Sequence, residues 1–178
     1  MSITHDQMVR KLAKDGKDIL ASMTPEKLHV WHMASCLMGE AGEIMESNEH
    51  DNLIEELGDL EFYMSGLRDG LNISFEDIAA TVITSDEVLF TPVDGLMVAT
   101  CNIFDACKKW IIYEKEIDRV VLMKHIRRYE FYMYVIREER ELTRAEILQA
   151  NMDKLAKRYG PDYSYSNAAA QNRADKQT

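Results

Sequence analysis

The chain has 178 residues, 46% of them hydrophobic, and 31 Asp and Glu against 21 Lys and Arg give a formal charge of −10. That is enough apolar material for one packed domain or two small ones, while the net negative charge disfavours a nucleic-acid backbone or an anionic bilayer as partner. No apolar run approaches the ~18–20 residues of a spanning helix, so no membrane segment is expected; a small anion held through a metal stays open.

From the N-terminus, Met1 to Lys17 is polar and has no apolar signal-peptide core. The three cysteines, Cys36, Cys101 and Cys107, lack the paired spacing of a metal site and read as small buried residues of a reducing compartment. A cytoplasmic protein is therefore expected. Long runs of 3.6-residue periodicity dominate and alternating patterns are scarce, which predicts an all-α fold. A first helix is predicted from about His5 to Ala21. Thr24-Pro25 forms an N-cap followed by proline at the first helical position, opening a long helix that carries Trp31 to Glu46. Ser47 to Asp51 reads as a polar loop, and a further helix runs through Glu56 to about Asp69. Gly70 to Ser74 is a turn, and Ser74 to Asp77 has the form of a capping box with Asp in place of Glu or Gln. Ile83 to Val93 reads as a partly extended connection.

The chemistry concentrates between Gly39 and Met64. Glu40 and Glu43 lie three positions apart, as do Glu56 and Asp59. Residues i and i+3 share a helical face, so two adjacent helices would aim four carboxylates at one volume. Such a group repels itself unless cations sit within it, and hard divalent cations take oxygen ligands while leaving room for phosphate. The alternative is a solvated acidic face. Glu40 and Glu56 border the apolar stripes of their helices, whereas Glu55 projects nearly opposite the Leu53-Leu57-Leu60-Met64-Leu67 stripe. Gly42 and Gly58 inside helical patterns each cost about 1 kcal/mol relative to Ala, which points to close helix approach. Trp31 and His32, about two turns before Glu40, are candidates to stack on a base, with core packing the alternative for Trp31.

The second half of the chain echoes the first. Ala34-Ser35-Cys36 returns as Ala99-Thr100-Cys101, an offset of 65 (99 − 34), and Glu61-Phe62-Tyr63-Met64 returns as Glu130-Phe131-Tyr132-Met133, an offset of 69 (130 − 61). The second frame also pairs Ile73-Ser74 with Leu142-Thr143. This predicts a tandem duplication, residues 1–90 and 91–178, packed as one unit; chance likeness of amphipathic helices is the alternative. In these frames the second copy has Asp105, Lys108, His125 and Arg128 where the first has Glu40, Glu43, Glu56 and Asp59. Lys and Arg among the ligand positions leave the second copy without a metal site.

The run Leu28 to Ala34, followed by Gly39-Glu40-Ala41-Gly42-Glu43 and Ile54-Glu55-Glu56-Leu57-Gly58-Asp59, resembles the MazG-like family of all-α nucleoside triphosphate pyrophosphohydrolases, of the kind bacteriophages carry. Their signature is E-x-x-E, a spacer, then E-x-x-D. Leu20 to Lys27 and the tail Ala150 to Tyr159 also fit, so the resemblance covers most of the chain. It implies hydrolysis of a nucleoside triphosphate, a dNTP in the first instance, to monophosphate and pyrophosphate. Mg²⁺, or Mn²⁺, would be held by Glu40, Glu43, Glu56 and Asp59. For a phage-encoded chain it implies the host bacterial cytoplasm. Single-copy relatives form dimers and tetramers, so a fused chain is expected to be a pseudo-dimer that pairs again as a homodimer.

The resemblance also extends to residues the second copy retains. Lys108 to Arg119 is similar to the family's loop between acidic motifs, and Asn151, Lys154, Arg158 and Tyr159 match its tail; the first copy has Val82, Ser85, Leu89 and Phe90 at those positions. Family sites resemble composites, so the expectation is one site per chain. The first copy would bring the acids, and Lys108, Lys115, Asn151, Lys154, Arg158 and Tyr159 of the second would meet the phosphates. A basic last turn that merely suits the helix dipole is the other reading of Lys154 to Arg158. Arg173, in an Asn-Arg pair like the family's, reads either as a lid residue or as part of a frayed terminus. Two readings from other classes stand beside the enzyme: a nucleotide binder without turnover, and a helical interaction protein with solvated acids. A modified or signalling nucleotide is the alternative substrate.

Overall fold

The computed structural model describes residues 3–46, 50–85, 90–160 and 162–163, and every regular element among them is helical. The order is α1 (His5–Leu12), α2 (Gly16–Ala21), α3 (Pro25–Glu46), α4 (His50–Leu71), α5 (Phe75–Ala80), α6 (Pro92–Tyr113), α7 (Arg119–Glu139) and α8 (Arg144–Tyr159). The all-α expectation holds. No helix among the described residues is long and apolar enough to cross a membrane.

Local chemistry sets the boundaries. The single N-terminal helix expected from His5 to Ala21 is two helices. Asp15 caps a new one by accepting from the Lys17 amide at 2.8 Å, and Ala13 has extended backbone, so α1 stops at Leu12. Thr24 accepts from the Lys27 amide at 3.3 Å and Pro25 is the first residue of α3. His50 and Asp51 belong to α4, not to the loop expected there; Ser47 to Glu49 lie outside the described residues. The capping box at Ser74 and Asp77 forms as expected, and Thr143 with Glu146 forms another.

Packing links α3 with α4, α6 with α7, and α3 with α6. The short α5 packs on α7, and α8 packs on α4. The core runs along these contacts, with Leu37, Leu57, Leu60, Leu67, Ile103, Ile126 and Met133 fully buried. The turn after α4 and the turn after α7 are the same structure. Asn72 and Glu141 are both left-handed, with φ of 51° and 55°. The Ile73 amide donates to Arg68 and the Leu142 amide to Arg137, each at 2.9 Å. Buried residues of α4 and α7 also correspond at the offset of 69: Leu53 with Leu122, Leu57 with Ile126, Met64 with Met133, Arg68 with Arg137. In α3 and α6, however, burial corresponds at 66 (96 − 30), not 65. Val30, Met33, Ala34, Leu37 and Ala41 match Leu96, Ala99, Thr100, Ile103 and Cys107. Core packing fixes that register, so Ala106 and Lys109, not Asp105 and Lys108, stand where α3 has Glu40 and Glu43.

One polar belt crosses this core. Glu61 of α4, 6% exposed, accepts from Arg144 Nε at 2.8 Å and Nη2 at 2.7 Å, with Arg137 3.6 Å away. A bidentate guanidinium–carboxylate pair is a strong arrangement for a buried acid. The corresponding acid of α7, Glu130, faces a different situation. The position 69 before Arg144 is Phe75, whose ring carries Arg68 at 3.6 Å and Arg144 at 4.8 Å. Burial, followed by the charge of Glu61, pushes the Glu130 carboxyl above its ordinary range against the opposing arginines.

Candidate metal and phosphate site

Glu40 and Glu43 leave α3 on one face, and Glu56 leaves α4 toward them. Each brings a carboxylate oxygen within 4.8 Å of the others. The pairing of α3 with α4 buries the apolar stripes of both helices and carries the acids along their shared border. Glu56 is 7% exposed, Glu40 half-buried and Glu43 exposed. Burial, then the charges of Asp59, Glu43 and Glu56, then a hydrogen bond with Glu56, push the Glu40 carboxyl up to about 7. Glu56 is raised too, burial being the largest cause and Glu43 the next. Crowded carboxylates disfavour one another's ionisation, which adds to burial in both shifts.

The fourth acid differs from expectation. Asp59 is near enough to raise both Glu40 and Glu56, but its oxygens are engaged by α8. Lys154 Nζ lies 2.6 Å from both Oδ1 and Oδ2, and Asn151 Nδ2 donates to Oδ1 at 2.9 Å. Lys154 also reaches Glu55 Oε1 at 3.2 Å. Gly58 makes this approach possible: a Cβ there would stand 2.9 Å from Asn151 Cβ, closer than packed carbon atoms come. The close approach expected at Gly42 does not occur in the same sense, since the nearest atom to a Cβ there is the Met97 methyl at an ordinary 3.8 Å.

The other candidates separate. His32 is exposed on α3, its ring 6.4 Å from that of Tyr63 and edge-on to it. Tyr63 is tied to the acids: burial, then the Cys36 thiol, then Glu40 and Asp59 hold its phenol well above the usual value. Trp31 is half-buried and packs on Phe104 of α6, ring centroids 5.2 Å apart, against the core. Lys108 pairs with Asp105, which also holds Lys109 at 2.6 Å, so these three form their own cluster on α6. Lys115 is exposed in the connection between α6 and α7. Arg158 and Tyr159 are half-buried in the last turn of α8, Arg158 one turn beyond Lys154. Arg173 lies outside the described residues.

Three residues that the sequence reading left aside border the site. Cys36 and Tyr63 each stand four positions from an acid, Cys36 before Glu40 and Tyr63 after Asp59. That i,i+4 spacing puts them on the same helical faces and is the signal that finds them. Glu55 points away from the stripe of its own helix, and only the position of α8 makes it a neighbour of Lys154.

An all-oxygen donor set in which three carboxylates already converge fits a hard divalent cation such as Mg²⁺ or Mn²⁺. Asn151 and Lys154 are groups of the kind that meet phosphate oxygens. No family model, no curated protein and no solved structure matches this chain.

Proposed function

We propose that this protein is a Mg²⁺-dependent nucleoside triphosphate pyrophosphohydrolase of the MazG-like type, releasing the monophosphate and pyrophosphate. One observation carries the reading: α3 and α4 bring Glu40, Glu43 and Glu56 within ligand distance of one another, and α8 of the other half delivers Lys154 to the adjacent Asp59. An acidic cluster flanked by an amide and an ammonium from a separate element suits a metal–triphosphate better than a solvated acidic face does.

Glu40, Glu43 and Glu56, joined by Asp59, would hold the metal, which supplies Lewis acidity at the α-phosphoryl group and neutralises its charge. Water attacks the α-phosphorus as the bond to the bridging oxygen of the β-phosphate breaks, and pyrophosphate departs with that oxygen. The water's proton passes to a carboxylate of the cluster, Glu43 at its exposed edge or the more buried Glu56. Lys154, with Arg158 one turn further, would oppose charge growing on the leaving group. Asn151 orients Asp59.

The reciprocal packing of α5 on α7 and α8 on α4, with the matched turns, supports a duplicated chain in which each half closes over the other. In the second half His125 and Arg128 replace the acids of α4, so a single metal site per chain follows. The runner-up, a nucleotide binder without turnover, is favoured by the same loss, since one of two sites has already gone. A panel of canonical and modified nucleoside triphosphates with Mg²⁺, scored for pyrophosphate, tests the proposal. Release that disappears in Glu40→Ala with the fold retained supports it. Binding without pyrophosphate favours the runner-up, and no Mg²⁺-dependent change at all removes both.

A further inference from the structure

The site contains one ammonium whose partner is a metal-ligand candidate, and one amide that cannot follow it. Lys154 Nζ is shared by both oxygens of Asp59 at 2.6 Å and by Glu55 at 3.2 Å. It neutralises part of a cluster of Glu40, Glu43, Glu55, Glu56 and Asp59. Its stem is long and flexible, and its ammonium is a compact charge with no fixed fork. Asn151 also donates to Asp59, but it is 8% exposed, short, and held against Gly58. The two donors therefore differ: Asn151 is short and anchored in the packing, whereas the partly buried Lys154 carries its ammonium on a long stem that can turn to another partner.

Resting on the metal-dependent reading above, we propose that Lys154 is an internal counter-ion that a divalent cation displaces from Asp59, releasing its ammonium to the anionic ligand. A doubly charged ion among the carboxylates offers Asp59 a stronger partner than a single ammonium and repels that ammonium. The freed Lys154 then has no competing carboxylate, and phosphate oxygens become its best partner. Without metal, Lys154 is neutralised and contributes nothing to anion binding. Metal and anion thus favour each other, and by linkage the effect is reciprocal. Lys154 itself weakens metal binding in the absence of anion, because it occupies a ligand.

The test uses the full-length chain with Mn²⁺, read by electron paramagnetic resonance, and pyrophosphate as the anion. In the wild-type protein, pyrophosphate tightens Mn²⁺ binding. Lys154→Met is expected to bind Mn²⁺ alone more tightly than wild type, on the order of tenfold, and to lose most of the tightening by pyrophosphate. Lys154→Arg keeps a cation on Asp59 and guards against a folding artefact; it is expected to bind Mn²⁺ alone no more tightly than wild type. Mn²⁺ affinity unchanged or weakened in a folded Lys154→Met overturns the exchange and leaves the metal site standing. No Mn²⁺ binding by the wild-type protein, or binding that Glu40→Gln leaves intact, overturns the metal reading and the exchange with it.

Discussion

Replacing Glu40 by Gln changes one charge at the most crowded point of the acidic cluster, and its effect on stability follows from the direction of the Glu40 shift. Its carboxyl is pushed up to about 7 by burial and by Asp59, Glu43 and Glu56. In the unfolded chain it titrates near 4.5. The folded protein therefore holds a proton that the unfolded chain has given up between those values, so stability falls as pH rises through that window. Fully transmitted, the shift corresponds to about 3 kcal/mol. Glu40 is only half-buried, and solvent screening reduces this to ~1 kcal/mol. Glutamine resembles the protonated acid. At pH 8 without metal, Glu40→Gln should melt above wild type by roughly 2–4 °C, the effect of ~1 kcal/mol on a chain of this size. At pH 5 the two should nearly coincide. On the proposed metal site, saturating Mg²⁺ at pH 8 should reverse the order, because a cation held by Glu40, Glu43 and Glu56 would stabilise the wild-type chain more than the variant. Differential scanning calorimetry at both pH values measures this. A variant that melts at or below wild type at pH 8 without metal refutes the repulsion argument.

Other consequences concern the frame around the site. Arg144→Ala strips the bidentate partner from the buried Glu61, and the urea midpoint should report a loss of ~2–4 kcal/mol; less than ~1 kcal/mol would mean that Arg137 alone suffices. Gly58→Ala places a methyl 2.9 Å from Asn151 Cβ, so the helix-propensity gain should be outweighed, with a net loss of ~1–2 kcal/mol by chemical denaturation. If the proposed pyrophosphohydrolase reading holds, Mg²⁺-dependent pyrophosphate release should fall further than stability, because α8 carries Asn151 and Lys154. Glu130→Gln removes an acid held above its ordinary range mainly by burial; it should stabilise the protein at alkaline pH and progressively less as pH falls, and a melting-temperature series across pH shows whether it does.

The sequence by itself settled the helical character, because periodicity, caps and prolines are local. Thr24-Pro25 and Ser74-Asp77 each act through contacts within four residues, and each is found where the sequence puts it. The paired acids were legible for the same reason: i,i+3 spacing fixes a shared helical face before any packing occurs. The break at Asp15 was local as well, but a capping Asp before Gly competes with continued amphipathic periodicity, and the cap prevailed. What lies between elements was legible only in part: the family resemblance put Asn151 and Lys154 with the acids, whereas periodicity did not pair them with Asp59. That Asp59 faces Lys154 instead of completing a four-carboxylate group depends on how closely α8 lies on α4, which Gly58 permits and no periodicity encodes. Likewise the register of α3 against α6 follows burial, not the Ala-x-Cys identity, since the core counts volumes and not residue names. Spacing along a helix is a property of one chain segment; the partner each side chain meets is a property of two, and only the packed structure decides it.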